Sequence, residues 1–327
     1  MCNSSIKFVC TFQTHHIYFF FLLYTLQRAE SSKILAIFAH VGKSHFDVFE
    51  PLLEELAARD HQLLVISYFP QYQFINNYKN IDLRGILQNN KTAGIINIRS
   101  ATYGGHVKSA LRLGVWGNMA CEKTLEHPSV QNLVTSEEKF DLIITELFNT
   151  DCFLAFAHKF NIPTIAFSSS DLMPWANSRF GNPDNPSHVP LYSGQSTGKM
   201  IFSERLLNTF WYLFHKLHHL FLMEARANKF ARKHFGESLP ALSQLARNTS
   251  LIFVNRHFSL NGPRPLVPGV IEVAGIHMKP VKKLPEVRLF SHLLYRNYIV
   301  GRRIYRQMCD KFAGAQQLRN GMHPGVC

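Results

Sequence analysis

The most constraining feature of this sequence is an apolar run without alternation, Ile34-Leu35-Ala36-Ile37-Phe38-Ala39, which stops at His40, Gly42 and Ser44. A strand with one wet face alternates, so a run apolar at every position predicts a strand buried on both faces, as in a parallel sheet between helices. Val48, Phe49, Leu52, Leu53 and Leu56 then recur at helical spacing among Glu50, Glu54, Glu55 and Arg59. Pro51 leaves the first turn of that helix unsettled. Leu63-Leu64-Val65-Ile66-Ser67 reads as a second strand. Strand, helix and strand imply a right-handed crossover. The loop from Gly42 to His45 then lies at the carboxyl end of a strand, where open α/β sheets bind ligands.

The same rhythm returns later. Leu142-Ile143-Ile144 is strand-like and leads to Glu146, Asn149 and Asp151; Phe153, Leu154, Phe156, Ala157 and Phe160 line a helix. Asn161-Ile162-Pro163 ends it, and Thr164-Ile165-Ala166-Phe167 forms the next strand before Ser168-Ser169-Ser170-Asp171. Residues 70–103 are polar and turn-rich, with one short strand expected at 95–98. A helical pattern covers 107–134, with breaks expected at Gly114, Gly117 and Pro128. Residues 175–199, rich in Asn, Pro, Ser and Gly, predict a long loop over a cleft. Residues 200–230 predict long helical structure heavy in Leu, Phe, Trp and Tyr; core packing is the expectation, ahead of covering a cleft or lying near a membrane. Leu251 to Val254 and Val270 to Val273 complete the strand candidates.

Hydrophobic residues at 46% and charged residues at 17% of 327 suit an ordered globular chain. The net charge of +13 raises the question of nucleic acid, but no dense Lys/Arg run exists. Seven of the basic residues (Arg288, Arg296, Arg302, Arg303, Arg306, Lys311 and Arg319) sit in the last 42 positions against Glu286 and Asp310. No nucleic-acid partner is therefore expected; attraction to acidic lipid or solubility accounts for the charge. Cys2, Cys10, Cys121, Cys152, Cys309 and Cys327 form no CxxC pair and are too dispersed for a zinc site or a disulfide framework.

The apolar stretch from Ile17 to Tyr24 is far short of the roughly 20 residues that span a bilayer. Its length suits a signal-peptide core with cleavage after Ala29. No later stretch reads as a transmembrane helix, although membrane association remains open. A signal peptide implies the secretory pathway, either retention in the endoplasmic reticulum lumen or secretion. Asn90-Lys91-Thr92 and Asn248-Thr249-Ser250 are then glycosylation acceptors, whereas Pro186 excludes Asn185.

His45 is the first candidate for chemistry, because an imidazole on a ligand-facing loop can take a proton from a hydroxyl nucleophile. Such a base needs a carboxylate to stabilise the imidazolium and fix its tautomer. Glu146 follows a strand directly; Asp151 lies near a helix start, where a carboxylate also serves as a cap. Residue type and spacing leave both open. Ser168, Ser169 and Ser170 lack a GxSxG frame, so they are read as strand-end hydroxyls or contacts for a polar acceptor group. The chain has neither GxGxxG nor GxxxxGK[ST]: Gly42-Lys43-Ser44 lacks the leading glycine of a phosphate cradle.

Taken together, three segments resemble the UDP-glycosyltransferase family, which includes glucuronosyltransferases and ecdysteroid glucosyltransferases, and look most like an insect member. They are residues 33–66 with Ser44-His45-Phe46, residues 140–167 with Glu146-Leu147-Phe148-Asn149-Thr150-Asp151, and residues 270–285 with Ile271-Glu272-Val273-Ala274-Gly275-Ile276-His277. The resemblance implies the Rossmann-like amino-terminal domain of a two-domain GT-B glycosyltransferase, with 1–29 as signal peptide, 30–285 as the acceptor-binding domain and 286–327 as a divergent basic tail. It implies that His45 deprotonates a hydroxyl of a small lipophilic acceptor, which attacks a UDP-sugar with inversion and expels UDP. The family's acid is an aspartate, which favours Asp151, whereas Glu146 occupies that acid's register. UDP-glucose or another UDP-sugar is a co-substrate; no cofactor and no metal are expected. The family's donor-binding signature has no counterpart here, so the donor-binding domain is expected to be absent and the chain inactive alone. The alternative is a lipophile-binding or regulatory module that pairs with a full-length glycosyltransferase.

Overall fold

The structure, a computed structural model, describes residues 31–87, 103–191 and 199–278. The expected signal segment, the strand at 95–98, the acceptor triplet at Asn90 and the basic tail lie outside these residues. Seven strands form one sheet: β1 (Lys33–Phe38), β2 (Gln62–Ser67), β3 (Tyr78–Asp82), β4 (Leu142–Glu146), β5 (Thr164–Ser168), β6 (Thr249–Val254) and β7 (Val270–Glu272). Their order is β3-β2-β1-β4-β5-β6-β7, and every neighbouring pair is parallel. This is an α/β Rossmann-like domain, as the sequence rhythm predicts.

The missing alternation in β1 has a direct cause, since both faces of the strand are covered. Ile34, Ala36 and Phe38 pack with Phe46, Phe49 and Leu53 of helix α1 (Lys43–Ala58). Leu35 and Ile37 pack on the opposite face with Cys121 and Leu125 of α2 (Tyr103–Glu126), Val130 of α3 (Pro128–Thr135) and Phe156 of α4 (Leu154–Phe160). Phe49 stacks on Phe38 at 4.3 Å and meets the Phe167 ring edge-on at 4.8 Å. Burying each such side chain is worth about 1.5–3 kcal/mol. Helix α1 runs through Pro51 rather than starting near it, so the proline costs one amide donor without breaking the helix.

Three expectations need correction. Strand β3, Tyr78-Lys79-Asn80-Ile81-Asp82, falls in the stretch read as turns: among the described residues it pairs with β2 at the end of the sheet order, and Lys79 and Asn80 are exposed, so it needs no apolar run. Gly114 and Gly117 do not break the helix at 107–134; α2 is continuous through both and ends before Pro128. They are notches: a Cβ on Gly117 would lie 1.9 Å from the Asn149 carbonyl oxygen, and one on Gly114 2.9 Å from Met223 Cγ. Finally, Cys121 of α2 and Cys152, just before α4, form a disulfide with their Cα atoms 5.7 Å apart. The fold brings together two cysteines that spacing alone did not pair. Closing a loop of 31 residues in sequence is worth about 3–4 kcal/mol in the chain-entropy account.

The segment after the cleft loop is a continuous helical rod made of α5 (Phe202–His218), a π-helical stretch (His219–Glu224) and α6 (Ala225–Phe235). It was expected to bury its apolar residues, and it does so in part: Trp211, Met223, Ala227 and Ala231 are buried together with the polar Asn208, His218, His219 and Glu224, whereas Phe202, Phe210 and Phe221 stay exposed. The buried polar groups are satisfied internally. Asn208 receives the Leu191 amide and donates to the Pro186 and Val189 carbonyls, and Glu224 accepts from the Ser243 amide. Helices α7 (Leu242–Arg247) and α8 (Phe258–Asn261) complete the described elements, and among the described residues no helix is long and apolar enough to cross a membrane.

Gly117→Ala should force α2 away from the loop after β4 and destabilise the domain by about 1–3 kcal/mol. The loss is read from the urea midpoint, with exposed Ser203→Ala of α5 (Phe202–His218) as the unaffected control.

Candidate active site

Three strand ends converge where the sheet order turns back. His45 lies in the first turn of α1, with its amide bonded to the Gly42 carbonyl. Glu146 is the last residue of β4, and Ser169 follows β5. His45 Nδ1 is 2.7 Å from Glu146 Oε1. Ser169 Oγ donates to the same carboxylate oxygen at 2.6 Å and lies 2.6 Å from His45 Nδ1. With Nδ1 turned to the carboxylate, Nε2 is the ring nitrogen left for a substrate.

The ring is also held on its faces. His40 stacks on His45 at 3.9 Å, and Phe148 meets it edge-on at 4.7 Å. Gly42 makes this stack feasible, because a Cβ there would lie 2.8 Å from His40 Cε1 and 3.2 Å from His45 Cδ2. The Gly42 amide donates to His40 Nδ1 at 3.0 Å, so that nitrogen is an acceptor and the ring is neutral. Burial first, then the neighbouring His45, lowers the His40 pKa to about 4, against a smaller opposing pull from Glu146. For Glu146, burial alone would raise the pKa; the charge and hydrogen bond of His45, followed by His40 and Ser169, outweigh it and hold the carboxyl below its ordinary value.

Asp151 has a different station. Its carboxylate takes a bidentate pair from Arg179, with Nη1 to Oδ1 at 2.8 Å, and lies 3.5 Å from His219 Nε2. Burial opposes its charge, but Arg179 and His219 hold its pKa well below the aspartate range. Of the sequence candidates, the structure brings His45, Glu146 and Ser169 together and sets Asp151 into a structural ion pair.

These groups open onto a cavity of about 340 Å³. Its walls are Leu113, Phe148, Met173, Trp175 and Leu191, with polar points at His45, Ser169, Ser170 and Asn255. An apolar cleft of this size with a few convergent polar groups is the usual form of a small-molecule site. His40, His45 and Glu146 place one potential metal-ligand atom each within 4.8 Å of one another. His40 accepts the Gly42 amide at Nδ1, so its proton sits on Nε2 and this neutral ring has no free lone pair to offer a metal. The sequence reading missed His40, Phe148 and Trp175; only the glycine at 42, between two histidines, hinted at the ring stack.

Residues 42–291 match the family model described as UDP-glucoronosyl and UDP-glucosyl transferase. The chain is 37% identical over 268 residues to UDP-glucosyltransferase 2 of Dactylopius coccus, covering 81% of this chain and 52% of the relative. Against UDP-glycosyltransferase UGT5 of the same organism the values are 36% over 282 residues, with coverage of 83% and 52%. UDP-glucuronosyltransferase 3A1 of Bos taurus is 27% identical over 288 residues, with coverage of 82% and 52%. The chain thus spans about half the length of these curated relatives.

Two measurements follow from the geometry. Because His40 titrates near 4 when folded and near 6.5 when free, the unfolded chain binds a proton that the folded chain refuses. Stability is therefore full above about pH 6.5 and falls as the pH drops toward 4. His40→Asn should remove on the order of 2 kcal/mol of the stability difference between pH 7 and pH 5, read from denaturant midpoints. Asp151→Asn leaves Arg179 buried without its counter-charge and should cost about 3–5 kcal/mol, whereas Glu146→Gln should leave thermal stability much closer to wild type.

Proposed function

Because the chain belongs to the UDP-glucoronosyl and UDP-glucosyl transferase family, we propose that it carries the acceptor side of a UDP-sugar-dependent glycosyl transfer, with His45 as general base. The observation that carries this reading is the 2.7 Å contact between His45 Nδ1 and Glu146 at the mouth of an apolar cavity. A small lipophilic acceptor lies against Phe148, Met173 and Trp175 and presents its hydroxyl to His45 Nε2. The acceptor oxygen attacks the anomeric carbon as its proton passes to Nε2; the bond from that carbon to the UDP oxygen breaks, and UDP leaves with the electron pair. Glu146 stabilises the imidazolium and keeps Nδ1 protonated. Ser169 holds the Glu146 oxygen in place, and Asp151 serves the fold.

The contacts to the UDP-sugar are assigned to a donor-binding domain like the part of the relatives that the matched half leaves uncovered. Electrostatic stabilisation of the departing diphosphate is a large catalytic term, so the chain alone is expected to bind acceptor with little turnover. The Cys121–Cys152 disulfide supports an oxidising compartment, in keeping with a secretory location.

The test is a fusion of this chain to the donor-binding half of its 37%-identical relative, assayed for UDP release with a phenolic acceptor. His45→Ala should lower kcat about 10²–10⁴-fold with KM little changed, and Glu146→Gln should lower it in the same direction by less. An unimpaired His45→Ala fusion would overturn the assignment of the base. Robust turnover by the unfused chain would overturn the division of labour.

A further inference from the structure

Part of the cavity wall is a loop, and a loop has no hydrogen-bonded ladder to hold it. Trp175 lines the cavity from the irregular segment after β5, four residues before Arg179. It clusters with Met173 and Met223, and Leu113 and Phe148 pack against that cluster. One further neighbour is polar. The His219 imidazole stacks on the indole, with ring centroids 4.7 Å apart and planes 15° from parallel.

An imidazole buried for packing alone would be a poor choice, because a phenylalanine fills similar space with no polar group to satisfy. His219 is buried, and its Nε2 faces the Asp151–Arg179 pair, 3.5 Å from Asp151 Oδ2 and 3.5 Å from Arg179 Nη2. Arg179 belongs to the same segment as Trp175, and Asp151 follows Phe148 by three residues on the loop after β4. Two loops that wall the cavity therefore meet at one imidazole, which a third element supplies. That element is shaped for it. His219 opens the π-helical stretch His219–Glu224. The buried residues there, His218 with His219 and then Met223 with Glu224, repeat five apart, in step with i→i+5 hydrogen bonding. His218 thereby faces the Gly114 notch while His219 faces Trp175.

We propose that His219 is a positioning residue for the acceptor: it fixes the Trp175 ring as a wall of the cavity by tying it to the Asp151–Arg179 pair. The proposal rests on the reading of this cavity as the acceptor site, but not on which group is the base. Its physical content is preorganisation. An indole on an unpinned loop samples several rotamers, and ordering it as the acceptor docks subtracts from affinity. Held in advance by His219, it is already in place. Phe148 packs against the Trp175 cluster and meets the His45 ring edge-on, so the wall and the base share one neighbour. The buried ion pair also gains a use that stability alone does not give it, since such a pair is often no more stabilising than an apolar substitute.

The experiment measures binding of 2-naphthol to the unfused chain by calorimetry, with no UDP-sugar present. His219→Gln removes the ring but keeps an amide that can donate to Asp151 or accept from Arg179. It should weaken binding about tenfold, the upper worth of an aromatic pair, while the urea midpoint moves little. Trp175→Leu should weaken binding at least as much. The double variant His219→Gln/Trp175→Leu should bind no more weakly than Trp175→Leu alone, because His219 acts through the indole. In the fusion to the donor-binding half, the His219→Gln loss should appear in the acceptor KM, with kcat changed far less. If His219→Gln fails to fold, His219→Phe answers instead: it restores a ring on Trp175 and should bind within about threefold of wild type. Losses that multiply in the double variant would overturn the proposal, as would wild-type affinity in His219→Gln or a loss in His219→Phe as large as that in Trp175→Leu. A wild-type chain that does not bind 2-naphthol would overturn it too. Turnover that survives His45→Ala while the binding results hold would sink the base assignment and leave this proposal standing.

Discussion

The pairing of β1 with β4 is the contact on which the site depends. β1 lies between β2 and β4, and the chain leaves it for α1 on one face of the sheet, whereas α4 after β4 packs on the other. The two connections part there and leave a crevice between strand ends. His45, Glu146 and Ser169 reach it from β1, β4 and β5, although 101 residues separate the first two in sequence. Register fixes which side chains arrive. Thr145, one place before Glu146, donates to the Ile37 carbonyl at 3.0 Å, and a one-residue slip of β4 would exchange that hydroxyl for the carboxylate.

Close approach then turns a crevice into a rigid site. Two glycines act in different ways that do not require a positive φ. Gly42 leaves room for two imidazoles to stack, and Gly117 lets α2 rest on the backbone at Asn149, beside the Phe148 that bounds His45. The Cys121–Cys152 bond ties α2 to the chain just beyond that loop. The wall of the cavity and the group that orients the ring are thereby parts of one braced unit. An imidazole stacked on one ring, bounded by the edge of another and held at Nδ1 retains little freedom to lose when a hydroxyl docks at Nε2, which is the physical meaning of preorganisation.

The sequence made the sheet legible because burial on both faces writes itself as unbroken apolar runs, and β1, β2, β4, β5 and β6 all carry one. β3 left no such mark: it ends the sheet order among the described residues, and Lys79 and Asn80 stand exposed on it. The position of His45 after the first strand was readable from the βαβ rhythm, and the resemblance gave it a role. Which acid faces it was not readable. Glu146 and Asp151 are five positions apart on a loop whose path is set by Arg179, 28 residues beyond Asp151. The rod at 202–235 was legible only in part for a related reason: periodicity reports that a helix has an apolar face, not how much of that face the core covers.

The division between the two buried acids follows from what each faces. Both pay to leave water, and each regains its charge only through a partner. Arg179 holds a permanent charge and a bidentate geometry against Asp151, so that pair is settled and rigid. Glu146 has no arginine; its partners are His45, His40 and the Ser169 hydroxyl. Its charge is therefore held by two imidazoles and a hydroxyl instead of a permanent cation. In the proposed reaction the acid that orients the base is the glutamate at the end of β4, which its position in the sheet sets against His45 Nδ1 at 2.7 Å.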